Sequence, residues 1–193
     1  MKGSLQNNMP KTYAVEVAGI KRELPLIEVA PGVTIALLNI LGDTEFVQAA
    51  AHALAKQLTP IGYDALVTAE AKSIPLIHAL SVETSKPYAV LRKSYKIYMG
   101  QAIQADTVSI TTGKPQTLYL DAKDKELVNG KRVVLVDDVV STGSTQQGMR
   151  AVMEKAGAQI VGEAAIFTEG DRAKWNHIIA LGHLPVFAGE KKN

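Results

Sequence analysis

At 193 residues, with 47% hydrophobic and 21% charged side chains, the chain has the make-up of one soluble globular domain with a sizeable core. A net charge of +2 gives no bulk attraction to nucleic acid or to a membrane surface, and no apolar run approaches spanning length. The absence of cysteine excludes disulfides and thiolate zinc sites and, with a polar start that lacks a signal-peptide core, makes the cytoplasm the expected location.

Residues 12–17 alternate and read as a strand, 23–29 as a second, with Ala18-Gly19-Ile20-Lys21 as the turn between them. Pro31-Gly32 marks another turn before the apolar run 33–40. Residues 1–40 lack βαβ spacing and are expected to be a small antiparallel appendage on a core of residues 41–187. Gly42-Asp43-Thr44 opens a helix through about Leu58, capped by Asp43 or Thr44 and ended by Pro60-Ile61-Gly62. His52 within it has no partner at ligand spacing and reads as a surface or packing residue. A strand at 65–68 leads into Ala69-Glu70-Ala71-Lys72-Ser73, then a helix at 74–84. A strand at 87–91 exits into Arg92-Lys93-Ser94-Tyr95-Lys96. This alternation predicts a parallel sheet with its strand C-termini gathered at one edge.

Residues 94–115 are long, polar and poor in helical period. Strands at 107–111 and 116–120 about the turn Thr112-Gly113-Lys114-Pro115 would make them a hairpin. The run Val133-Val134-Leu135-Val136 is a strand buried on both faces, expected to stop at Asp137-Asp138. After Val139-Val140, the loop Ser141-Thr142-Gly143-Ser144-Thr145 leads into a helix to about Lys155, ended by Gly157. A strand at 160–167 exits at Thr168-Glu169-Gly170, and 178–181 and 186–187 are a last strand and a closing segment.

Strand, acidic pair, hydroxyl-rich turn and helix N-terminus together describe a sugar-phosphate site. The helix end offers unpaired N–H groups to a phosphate, and Gly143 permits close backbone approach. The carboxylates can accept bonds from ribose hydroxyls or hold hydrated magnesium. Glu70-Ala71-Lys72 and Arg92-Lys93 lie at two other strand exits, so the topology converges them on the same place.

The stretch from Val133 to Thr145 resembles the phosphoribosyl diphosphate (PRPP) signature of type I phosphoribosyltransferases, and the chain looks most like the adenine branch. Glu70-Ala71-Lys72-Ser73 is similar to that branch's pyrophosphate loop, with Lys72 for the usual arginine and Ser73 for the usual glycine. Arg92-Lys93-Ser94-Tyr95-Lys96 matches its Arg-Lys-x-x-Lys. The resemblance implies an α/β Rossmann-like core, an antiparallel N-terminal hood over the base, a flexible hairpin lid at about 94–117, Mg²⁺ and a homodimer. It also implies transfer of the 5-phosphoribosyl group of PRPP to a purine in nucleotide salvage. On that reading Glu70, Ala71, Lys72, Ser73, Arg92, Lys93 and Lys96 bind the pyrophosphate, and Ser141, Thr142, Gly143, Ser144 and Thr145, with Val139 and Val140, the ribose 5-phosphate. Asp137 and Asp138 grip the ribose, directly or through magnesium, and with Lys96 form the catalytic set. Leu37, Leu38 and Asn39 of the hood and Glu169 contact the base.

Where 6-oxopurine enzymes often place a lysine, this chain has Glu169, whose carboxylate suits an exocyclic amine and so favours adenine. Arg172 or Lys174 nearby keep xanthine, hypoxanthine and guanine open. The position of the adenine enzymes' Glu-Tyr pair aligns with Thr111-Thr112, so no residue is assigned to the base's proton. The second alternative is a PRPP-sensing regulator without catalysis. The lack of a helix-turn-helix pattern before residue 43 and the near-neutral charge argue against DNA binding.

Overall fold

The computed structural model describes residues 12–108 and 115–188. It begins with β1 (Thr12–Val17), β2 (Ile20–Ala30), β3 (Val33–Ala36) and helix α1 (Thr44–Leu58). Next come β4 (Ala65–Ala69), α2 (Ile74–Thr84), β5 (Tyr88–Leu91), β6 (Ile103–Val108), β7 (Pro115–Leu120) and the short helix α3 (Lys125–Val128). The chain continues through β8 (Arg132–Val140), α4 (Ser144–Lys155), β9 (Gln159–Glu169), β10 (Ile179–Leu184) and β11 (Val186–Ala188).

Five strands form a wholly parallel sheet in the order β10-β9-β8-β4-β5. At its centre β8 is buried on both faces, as its β-branched run requires. The period of two divides its side chains between two cores. Val134 and Val136 pack with Leu66 and with Phe46, Leu54, Leu76 and Leu80 of α1 and α2. Val133 and Leu135 pack with Met149, Val152 and Met153 of α4 on the opposite face. Helices therefore cover both sides of the sheet and leave its C-terminal edge to loops.

The hood is a four-stranded antiparallel sheet, β1-β2-β3-β11. The closing segment thus returns to the hood, with Val186 opposite Ile35 and Ala188 opposite Val33. Strand structure in the 33–40 run ends at Ala36, and the rest is irregular chain leading to α1. Arg22 of β2 ties hood to core. Its Nε and Nη2 donate to Asp43 at 2.7 and 2.9 Å, while Asp43 also caps α1 by accepting from the Phe46 N–H at 3.2 Å. The Arg22 guanidinium holds the Asp43 carboxyl below the usual carboxylate range.

The hairpin starts at Ile103 rather than at residue 107. Its inward positions are Ile103 and Ala105, and an inward alanine between the exposed Gln104 and Asp106 is too weakly apolar to show the alternation in sequence. Ala105, Leu118 and Leu120 are buried against Met149 and Val152 of α4, so the base of the hairpin is part of the core. Arg92 and Tyr119 exchange two backbone hydrogen bonds of 2.8 Å, which extends the sheet beyond β5. Residues 109–114, including Thr111 and most of the expected turn, lie outside the described residues.

Candidate active site

The parallel sheet has one switch point, between β4 and β8, where successive connections run in opposite directions. β4 pairs with β8 only as far as Leu135, and Thr68 Oγ1 then donates to the Val136 carbonyl at 2.6 Å. Beyond that point the strands part and a crevice opens at their C-terminal ends, where ligands bind in open α/β sheets. β8 itself does not stop at the acidic pair. Its ladder with β9 continues to Val140, opposite Thr168, so Asp137 and Asp138 sit on rigid strand.

Both aspartates are buried and share one hydroxyl. Ser73 Oγ lies 2.8 Å from Asp137 Oδ1 and 3.0 Å from Asp138 Oδ1, and accepts from the Asp138 N–H at 3.0 Å. A single hydroxyl proton can serve only one carboxylate at a time. Ser73 stands at the N-cap of α2 without capping it, and Pro75 in the first turn has no N–H to donate to it, so the hydroxyl is free for the aspartates. Its φ of −79° is ordinary helical backbone, so the position does not need glycine. Gln146 Nε2 donates to Asp137 Oδ2 at 2.9 Å. Asp138 Oδ2 is buried with no hydrogen-bond partner among the described residues; its nearest cation is Lys72 Nζ at 3.7 Å.

Burial, with the neighbouring Asp138 second, pushes the Asp137 carboxyl up from its ordinary value. A raised folded-state pKa means the folded protein binds more protons than the unfolded chain as pH rises from about 4, so stability falls over that range. Asp137→Asn should therefore melt higher than the parent at pH 8, with no gain near pH 4. Gln146 can turn its amide to accept from the new NH₂. A gain of about 1–2 kcal/mol corresponds to roughly 2–8 °C, readable by paired thermal scans.

The phosphate-loop side is built around Gly143 (φ 79°), which stands at the N-cap position of α4 without a capping side chain. The amides of Thr145 and Gln146 have no acceptor among the described residues, leaving them available to an anion at the helix's positive end. Thr142 and Ser144 hydroxyls lie 3.0 Å apart. Ser141 turns away from this loop and donates to Glu169 Oε2.

Two adjoining cavities occupy the crevice. One of about 360 Å³ is walled by residues 69–73 and by Lys93, Asp137, Asp138, Val139 and Thr145. The other, about 210 Å³, lies under the hood between the apolar wall of Ile35, Ala36, Leu37 and Leu38 and the polar groups of Lys72, Asp138, Ser141 and Glu169. Lys72 Nζ also donates to the Leu38 carbonyl at 3.3 Å, joining hood and core. Larger cavities between α1 and α2 and near the end of α1 do not reach the strand ends.

The structure therefore brings most of the expected residues together, and sets a few apart. Glu70 lines the larger cavity, but its carboxylate accepts from Arg92 Nε and from the Lys93 N–H at 2.6 Å. Arg92 is turned to Glu70 and to the Tyr98 hydroxyl at 3.2 Å, and Lys96 is exposed and lines neither cavity. Val140 points into the core beside Ala165 and Ile178. Asn39 accepts from the Leu41 N–H at 3.2 Å rather than lining the base-side cavity. Sequence reading missed Gln146 and Trp175. A buried glutamine in the first turn of α4 is a weak sign of the former. Nothing local points to the packing of Trp175 over Gly143, 32 residues away in the chain.

A family model for the phosphoribosyl transferase domain matches residues 38–180. The chain belongs to the phosphoribosyltransferase family. Among sequence relatives, a hypoxanthine/guanine phosphoribosyltransferase of Methanococcus voltae is 39% identical over 108 residues, which is 56% of this chain and 54% of the relative. Its namesake in Methanocaldococcus vulcanius is 34% identical over 113 residues, 58% of each chain. The chain thus matches little more than half the length of these curated relatives. Among solved structures, adenine phosphoribosyltransferase of Thermoanaerobacter pseudethanolicus superposes with a TM-score of 0.65 at 20% identity, covering 90% of this chain and 95% of that one. The Trypanosoma brucei enzyme in complex with AMP, pyrophosphate and ribose-5-phosphate gives 0.61 at 20%, covering 75% and 67%. At such identity these neighbours speak for the phosphoribosyltransferase fold: a five-stranded parallel core, an antiparallel hood and the β6–β7 hairpin.

Proposed function

We propose that this phosphoribosyltransferase moves the 5-phosphoribosyl group of PRPP onto a 6-oxopurine, hypoxanthine or guanine, with release of pyrophosphate. The observation that carries the donor is the aspartate pair at the switch point, with the Asp138 Oδ2 acceptor buried and without a hydrogen-bond partner among the described residues, beside the open N-terminus of α4. On this reading the α4 amides hold the 5-phosphate and the aspartates hold the ribose hydroxyls. Lys72 and Lys93 face the pyrophosphate, and the base enters beneath Leu37 and Leu38. Attack of the base nitrogen on the anomeric carbon builds positive charge there and negative charge on the leaving group. The fixed carboxylates and lysines are placed to stabilise both, so catalysis is positioning and electrostatics.

Among the described residues no group of three or more acidic, histidine or cysteine side chains could hold a metal alone. Asp137 and Asp138 fit a magnesium ion that keeps waters and shares substrate oxygens, the usual manner for this ion. Bound there it would neutralise phosphate charge.

The base assignment departs from the adenine expectation. A carboxylate accepts the N1–H of a 6-oxopurine as readily as the amine of adenine, so Glu169 does not select between them. The sequence relatives at 34–39% identity carry the hypoxanthine/guanine name, whereas the adenine neighbours at 20% share the fold alone. The test is pyrophosphate release with PRPP, Mg²⁺ and a panel of hypoxanthine, guanine, xanthine, adenine, uracil and orotate. A kcat/KM for hypoxanthine or guanine at least about tenfold above adenine is expected. Adenine as the best acceptor would overturn the base assignment, a pyrimidine alone the purine reading, and no turnover with any base would leave a PRPP-binding regulator.

A further inference from the structure

We infer that, on the PRPP-transfer reading above, Ser73 is the positioning residue of Asp138, aiming that carboxylate at the donor rather than binding pyrophosphate through its own hydroxyl. The Ser73 side chain is turned inward. It is 2% exposed, and its Oγ meets both carboxylates and the Asp138 N–H within 3.0 Å. The two aspartates depend on it unequally. Asp137 has two other donors, the Asp138 N–H to Oδ1 and Gln146 Nε2 to Oδ2, each at 2.9 Å. For Asp138, the Ser73 hydroxyl is the one hydrogen-bond donor to the carboxylate among the described residues. The single hydroxyl proton therefore stabilises most on Asp138 Oδ1, because a buried carboxylate left without a donor is costly. The Asp138 N–H donates back to Oγ, so the two residues close a two-bond ring that fixes the Asp138 side-chain torsion.

With Oδ1 held, the acceptor left for a ribose hydroxyl is Oδ2, 3.7 Å from Lys72 Nζ. The hydroxyl that holds Oδ1 itself stands on fixed backbone. The Ser73 carbonyl accepts from the Ile77 N–H at 3.0 Å to open α2, whose Leu76 and Ile77 are fully buried. Lys72 and Ser73 are consecutive, so residues 70–73 set a cation near one Asp138 oxygen and a hydroxyl on the other. A pyrophosphate on this loop and a ribose on the aspartates are thus held by one hydrogen-bonded unit, built on a strand and a helix end.

The test removes the hydroxyl by Ser73→Ala and, separately, by Ser73→Gly. A φ of −79° suits either residue, and the Asp138 N–H keeps its bond to Asp137 Oδ1. Kinetics are measured forward with PRPP, Mg²⁺ and the parent's best base, and in reverse with the corresponding nucleotide and pyrophosphate. Loss of one charge-assisted hydrogen bond should lower kcat/KM for PRPP by about 10–100-fold, with the KM for base and for pyrophosphate within about twofold of the parent. In the Asp138→Asn background the acceptor being aimed is gone, so the same substitution should cost less than about threefold. A raised KM for pyrophosphate makes the hydroxyl a pyrophosphate ligand and overturns the inference. So do losses that multiply fully in the double variant, or a folded single variant with the parent's PRPP kinetics. Thermal scans establish folding; if neither variant folds, the hydroxyl serves the fold and the inference falls. A parent inactive with every base overturns the transfer reading alone. PRPP affinity, read from the fluorescence of the single tryptophan, Trp175, then carries the same comparison of single and double variants. A parent that does not bind PRPP overturns both.

Discussion

Asp138→Asn is expected to lower kcat/KM for PRPP by about 10²–10³-fold, the usual cost of removing one preorganised electrostatic group. Several features make the effect separable from folding. The amide has the volume of the carboxylate, and its oxygen can keep the Ser73 contact at the Oδ1 position. The backbone there is fixed by the β8–β9 ladder on either side, at Asp137 and Val139. What changes is the other atom. Oδ2 is a buried acceptor without a hydrogen-bond partner among the described residues, and in the variant an NH₂ faces the Lys72 ammonium at that spot. A ribose hydroxyl arriving as a donor then meets another donor. Steady-state kinetics at varied PRPP, with near-UV circular dichroism to confirm packing, decides the matter. Less than a tenfold loss in a folded variant would remove Asp138 from the ribose site.

Gly143→Ala is the second large effect, and it acts on the phosphate loop through geometry. A non-glycine residue at φ 79° costs about 1–2 kcal/mol by itself. The new Cβ would also lie 2.8 Å from Trp175 Cη2 and 3.2 Å from Cζ3. Trp175 cannot swing freely, since its Nε1–H is bound to the Glu169 carbonyl. The loop must shift instead, and the Thr145 and Gln146 amides move with it. Affinity for ribose 5-phosphate should fall by about tenfold or more, equivalent to about 1.4 kcal/mol. The melting point should drop by about 2–4 °C for each kcal/mol lost. Trp175 is the chain's single tryptophan, so its fluorescence reports ligand arrival directly. The double variant Gly143→Ala with Trp175→Phe should recover part of the loss, because the clashing ring atoms are gone. No recovery would show that backbone strain alone is responsible. An unchanged affinity in the single variant would place the phosphate elsewhere.

Most of the core and the donor side of the site can be read from local chemistry. The β-branched run 133–136, the turn residues and the α1 cap at Asp43 each depend on neighbours a few positions away. So does the βαβ alternation that sends Lys72, Lys93 and Asp137-Asp138 to one edge. The hairpin begins at Ile103, earlier than its sequence pattern shows, because Ala105, small and inward, carries little apolar signal. Charge usually leaves a sheet, yet β8 runs on through the carboxylates to Val140. Here Ser73, Gln146 and a backbone amide accommodate Asp137 inside it.

By itself, then, the sequence determined a doubly covered parallel core and a candidate sugar-phosphate site at the end of its central strand. These follow from hydrophobic period and turn chemistry, which act over a single strand or helix turn. Only the tertiary structure decided which side chains face the crevice. It turned Arg92 and Glu70 toward each other and left Lys96 outside. It brought the Val186 strand back to the hood and set Ser141 against Glu169 across 28 residues of chain. Those outcomes depend on where separate elements meet and which hydrogen bonds can be satisfied there, and no local pattern encodes that competition.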